Sequence, residues 1–141
     1  MNKPNWIIIA EGELGVKEIP GKENNPRIIE YHSTCTLKAG DDETSWCSAF
    51  VNWVFYKLGM ERTKSAAARS WLNWGITIDQ PEYGCVAIFT RGNNPVYGHV
   101  GFYVGDDPNN KERVLILGGN QGDEVCIKSF PKSTLLGYRK P

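Results

Sequence analysis

The chain has 141 residues, enough for one domain with a core of its own and too few for a second full one. Sixteen basic side chains balance sixteen acidic ones, and the two signs are interspersed. That pattern excludes the basic footprint of a nucleic-acid or polybasic membrane-surface binder.

The first apolar run, Trp6-Ile7-Ile8-Ile9-Ala10, is too short for a signal-peptide core or a bilayer span. The expectation is a protein made in the cytoplasm that reaches its place of action by release or injection. Helical spacing over residues 6–16 predicts a short first helix, weakened by Gly12 and Gly15. Residues 18–25 read as a loop, after which Pro26 opens a second helix through Ile28, Ile29 and Tyr31. His32 falls in a polar loop that continues over residues 33–43, where an exposed imidazole is the expectation.

The next segment carries the chemistry. Trp46, Ala49, Phe50, Trp53, Val54 and Leu58 recur at intervals of three and four, the stripe of a helix packed on a core. Thr44 or Ser45 suits the N-cap, Asp41, Asp42 and Glu43 precede it, and Gly59 ends it. Cys47 therefore stands on the first turn, where unpaired backbone N–H groups and the macrodipole favour a thiolate. Because free cysteines also serve as small buried hydrophobes, the position makes Cys47 a candidate nucleophile and leaves a core role open.

A third helical segment is predicted over residues 65–74, stopping at Gly75. From there the chain turns β-rich, with short runs at 84–89, 97–104, 114–117, 125–130 and 135–139 between Gly, Asn, Asp and Pro clusters. Helices first and strands later predict an α+β domain on an antiparallel sheet. Cys35, Cys47, Cys85 and Cys126 show no CxxC or zinc-finger spacing, so no structural metal is expected. With Cys47 a free nucleophile, the other three allow at most one disulfide.

A cysteine nucleophile needs a base, and His suits that task near neutral pH. In the run from Val96 to Val104, Val100, Phe102 and Val104 alternate with His99, Gly101 and Tyr103. His99 thus faces away from the aliphatic side, between glycines that mark close approach of another backbone or a ligand. The strand at 114–117 runs into Gly118-Gly119-Asn120-Gln121-Gly122, and Asn120 is the first choice to orient the imidazole. The same run is also good turn chemistry.

These motifs, Asn25-Pro26 through Tyr31, Trp46-Cys47-Ser48-Ala49-Phe50-Val51, Ser70-Trp71-Leu72, Pro81 to Arg91-Gly92, Gly98-His99-Val100-Gly101 and Gly118-Gly119-Asn120, occur in an order that resembles the NlpC/P60 superfamily of papain-like cell-wall hydrolases. The likeness is strongest to its CHAP-like branch, found in phage lysins and secreted bacterial effectors. The resemblance implies a papain-like fold over a single catalytic domain, residues 1–141, with helices carrying Cys47 packed on a sheet carrying His99. It also implies hydrolysis of a peptidoglycan amide through a thioester, by an N-acetylmuramoyl-L-alanine amidase or a stem-peptide endopeptidase.

Related CHAP domains often have Glu two positions before the Asn of the third motif, where this chain has Gly118, and Asp after the glycine of the first strand, where it has Cys85. The expected set is therefore Cys47, His99 and Asn120, with the Cys47 N–H as oxyanion donor. Trp46, Tyr31, Trp71 and Tyr97 are candidates for the cleft lining or for the core. The acidic run Asp41-Asp42-Glu43 lacks the alternating ligands of an EF-hand, so neither a metal nor another cofactor is expected. A monomer without nucleic-acid or membrane partners is expected; a secreted effector would also require an immunity protein in its producer. The competing readings are a papain-like deamidase or acyltransferase on a protein or lipid, and a non-catalytic wall-binding module.

Overall fold

The computed structural model describes residues 3–19, 24–36 and 45–141. Three helices come first: α1 (Asn5–Glu11), α2 (Pro26–His32) and α3 (Cys47–Lys57). A 3₁₀ turn, Ala68–Asn73, leads into β1 (Ile76–Ile78), β2 (Val86–Thr90), β3 (Gly98–Asp106), β4 (Arg113–Gly118), β5 (Cys126–Pro131) and β6 (Leu135–Lys140). The strands form one sheet in the order β1-β6-β2-β3-β4-β5, with every pairing antiparallel. This is the α+β architecture the sequence predicts.

Local chemistry sets the helix boundaries. Pro26 starts α2, where its missing N–H costs nothing, and the Asn25 side chain accepts from the Arg27 N–H at 2.9 Å. His32 is the last residue of α2 and fully buried, not the exposed loop residue the sequence suggested. α1 stops at Glu11, earlier than its pattern predicted, with Gly12 as C-cap. Its Trp6 Nε1 donates to the Gly84 carbonyl at 2.7 Å, tying the first helix to the approach of β2.

α3 departs from an amphipathic helix. Every residue from Cys47 to Phe55 is buried, because α1 and α2 cover one side while β3, β4 and the 3₁₀ turn cover others. Its polar residues are accordingly satisfied inside the protein. Ser48 Oγ donates to the Ser65 carbonyl at 2.7 Å and accepts from Trp71 Nε1 at 2.9 Å, and Asn52 Oδ1 accepts the Lys64 N–H at 2.8 Å. The N-cap is Trp46 without a side-chain cap, so Ser45 does not play that role. Thr44 and the run Asp41-Asp42-Glu43 lie outside the described residues.

The segment after α3 is 3₁₀ rather than α-helical. Ala68, Trp71 and Trp74 bury every third residue, the period of the tighter helix. β1 was not foreseen: three residues give no readable alternation, and it forms only as an edge partner of β6.

The sheet is strongly curled. Phe130 of β5 stacks on Phe89 of β2, ring centroids 5.2 Å apart, although two strands separate them. Alternate residues therefore feed two cores. Val86, Ile88, Val100, Phe102 and Leu117 meet the helices, whereas Ala87, Phe89, Val114, Ile116 and Tyr138 fill the inside of the curl. With both faces covered, β2 reads as a continuous apolar run.

Gly119 sets how closely α3 approaches the end of β4: a Cβ there would lie 2.7 Å from the Trp46 ring and 2.8 Å from Phe50 Cβ. Gly119→Ala is expected to destabilise the fold by about 1–3 kcal/mol through overpacking, lowering the urea midpoint. An unchanged midpoint would show that the helix is not clamped there.

Candidate active site

Cys47 is the first residue of α3 and only 2% exposed. The β-ladder explains what it faces. The Tyr103 N–H donates to the Cys85 carbonyl on the β2 side, so by alternation the Val100 N–H points the other way. β4 pairs with β3 only from Phe102↔Leu117 onward, which leaves that edge of β3 open at Val100. The start of α3 fills the gap and brings the Cys47 sulfur close enough to His99 and to the Val100 N–H for both to favour its ionised form.

Burial is the largest influence on the Cys47 thiol and by itself pushes its pKa up. The hydrogen bond and charge of His99, the Val100 N–H and the charge of Arg91 together outweigh it, and the thiol is held below its ordinary value. Cys85 has backbone donors but no imidazole or guanidinium among its influences, and is pushed up to about 11, chiefly by burial. Burial raises Cys35 as well. All four cysteines are free thiols.

His99, near the start of β3, is 7% exposed and stacks on Phe130 at 4.8 Å between centroids. Its Nε2 lies 2.9 Å from Gln121 Oε1. Gln121 Nε2 donates to the Ile116 carbonyl at 3.1 Å and the Cys126 carbonyl at 2.8 Å, which uses both amide hydrogens. The Oε1 aimed at His99 can only accept, so Nε2 carries a proton and Nδ1 is left for the thiol. Gly118 makes this placement possible, since a Cβ there would lie 2.5 Å from Gln121 Oε1.

The orienting contact predicted for Asn120 is therefore made by Gln121. Asn120 is left-handed, φ 57°, and its Nδ2 points to Ser45 Oγ at 3.3 Å. Asn adopts that conformation readily, and the turn it makes returns the next side chain to the sheet. The run from Gly118 to Gly122 held this signal: if Asn120 takes the positive φ, Gln121 becomes the residue facing the strand ends.

Three of the four aromatic candidates belong to the core. Tyr31, Trp46 and Trp71 are fully buried; Tyr31 packs on Trp46, Phe50 and Trp53, Trp46 Nε1 donates to Glu18 Oε2, and Trp71 bonds Ser48. Tyr97 alone reaches the surface, 59% exposed. It lines a cleft of about 570 Å³ beside Cys47, together with Ser45, Arg91, Val96, Gly98 and the row Ala66, Ala67, Ala68. Arg69 Nε donates to the Tyr97 carbonyl at 2.7 Å and fixes one rim. Among the described residues, no three His, Cys, Asp or Glu side chains are grouped as metal ligands.

A thiol held ready to ionise, an imidazole with its free nitrogen toward it, and an open cleft on the sulfur together permit acyl transfer through a thioester. Comparison with known proteins agrees in kind. The family model described as the CHAP domain matches residues 39–120. A solved Staphylococcus aureus subsp. aureus Mu50 protein, described as similar to a lipoprotein of the NLP/P60 family, superposes with a TM-score of 0.55 at 17% identity. The match covers 96% of this chain and 40% of that one, and at this identity it establishes a shared fold. No curated protein matches.

The thiol should titrate below an ordinary cysteine. Alkylation of Cys47 by iodoacetamide, followed by peptide mass mapping against pH, is expected to stay fast until the pH falls through that lowered value. His99→Ala removes the main opposing influence to burial, so its midpoint should move up. Equal midpoints in the two proteins would contradict the thiol–imidazole contact.

Proposed function

This chain belongs to the CHAP domain family, and on that premise we propose that it hydrolyses an amide bond of peptidoglycan with Cys47 as nucleophile. The observation that carries the reading is the line Cys47–His99–Gln121: a thiol whose pKa the neighbouring imidazole lowers, and an imidazole hydrogen-bonded to a fixed acceptor. Such an assembled pair favours catalysis over a purely wall-binding module.

In this reading the Cys47 thiolate attacks the carbonyl carbon and the carbonyl oxygen becomes an oxyanion. The N–H of Cys47, at an uncapped helix start, is its donor. As the carbon–nitrogen bond breaks, the proton on His99 Nδ1 passes to the departing amine and leaves a thioester. Water then loses a proton to His99 and attacks the thioester, releasing the carboxylic acid and regenerating Cys47. Gln121 keeps the ring in place through both steps by holding Nε2–H. The enzyme meets its substrate at the wall.

Digesting purified sacculi and identifying products by mass spectrometry tests the reading and names the bond. A new amine on L-alanine marks an amidase, and a new amine within the stem peptide marks an endopeptidase. Cys47→Ala should abolish product while leaving the fold intact; products retained in that variant would sink the proposal. His99→Ala should lower kcat by about 10²–10⁴. Gln121→Ala should fall between that and Asn120→Ala, and the reverse order for the last two would restore Asn120 as the orienting residue.

A further inference from the structure

The cleft has two unlike walls. One is built of small apolar groups: Ala66, Ala67, Ala68 and Gly98, with Val96 and Tyr97 at the rim. The small size is enforced at Gly98, where a Cβ would lie 2.9 Å from the Phe89 carbonyl oxygen and 3.1 Å from Arg69 Cγ. The other wall carries Arg91 and Ser45, and among the described residues Arg91 is the one charged residue in the lining.

Arg91 has few obligations of its own. It takes part in no ion pair among the described residues, and its one hydrogen bond there runs from Nη1 to the neutral Ser45 Oγ at a long 3.3 Å. The same hydroxyl accepts from Asn120 Nδ2, so Ser45 ties the guanidinium to the turn that carries Gln121. Nearly the whole donor fork is thus free, beside an apolar wall and close enough to Cys47 for its charge to act on the sulfur. A planar guanidinium in that state matches a carboxylate with two parallel hydrogen bonds.

We infer that Arg91 is a specificity-determining residue that binds a free carboxylate of the substrate next to the scissile amide, while the apolar alanine wall takes the uncharged part of the substrate across from it. Resting on the peptidoglycan reading, this makes the substrate a stem-peptide segment with an unamidated carboxylate close to the cleaved bond. Amidation of that carboxylate in the wall would protect the bond, because a carboxamide offers the guanidinium one neutral acceptor and no charge.

Two measurements test the inference together. The first compares kcat/KM on a pair of muropeptides that differ only by carboxylate against carboxamide, for wild type and Arg91→Gln. Wild type should prefer the carboxylate by about tenfold, a difference expected for a charge-assisted pair over a neutral one, and the preference should fall to near unity in the variant. The second needs no wall substrate: the ratio of Cys47 alkylation rates by iodoacetate and iodoacetamide, which differ by the same group. That ratio should drop several-fold in Arg91→Gln and be largely restored in Arg91→Lys. If neither muropeptide is cleaved but the alkylation ratio depends on Arg91, the carboxylate site stands and the peptidoglycan reading falls. An alkylation ratio unchanged in Arg91→Gln overturns the inference, as does a muropeptide preference unchanged in that variant.

Discussion

The side-chain amide of Gln121 holds the end of the sheet and the imidazole in one hydrogen-bonded unit. Its nitrogen is shared between carbonyls of Ile116 on β4 and Cys126 at the start of β5, and its oxygen is left for His99. A buried amide with both hydrogens committed has no freedom to flip without leaving polar groups unpaired. The ring is further held flat against Phe130, which reaches it only because the sheet curls. Position, tautomer and ring orientation of the base thus follow from strand pairing, not from a flexible loop.

The thiol is placed by a comparable economy of backbone. A helix buried on all sides brings its first residue to the one stretch of β3 that β4 does not cover. Burial alone would keep the sulfur neutral, so the site depends on the nearby imidazole and Val100 N–H and on the charge of the more distant Arg91 guanidinium. Glycines let these parts meet. Gly119 allows the helix against the end of β4, and Gly118 allows Gln121 to pass beneath the imidazole. The cost of glycine in these places is local entropy, and its return is a site assembled from four separate stretches of chain.

Much of this was legible in the sequence, and the misses have physical reasons. Cys47 and His99 stood out because a helix start and a glycine-flanked strand constrain what such side chains face. Asn120 reads as the orienting residue because a polar amide at the end of the strand after β3 suits that part. The left-handed turn it forms is what hands the role to its neighbour. Tyr31, Trp46 and Trp71 looked available because periodicity shows which face of a helix is apolar and not whether further helices cover it. α3 is covered on all sides, and those rings are core. Arg91 stood in the sequence only as the end of a motif: an arginine after a strand gains a role only when the fold sets it beside the thiol.

The central feature of the arrangement is Gln121 holding a proton on His99 Nε2 whatever the state of Nδ1. The direct test is ¹⁵N NMR of the histidine rings across pH, with His99 assigned by substitution. Nε2 should keep the shift and coupling of a protonated nitrogen throughout, and Gln121→Ala should lose this fixed preference. A neutral ring with its proton on Nδ1 in the wild-type protein would contradict the arrangement.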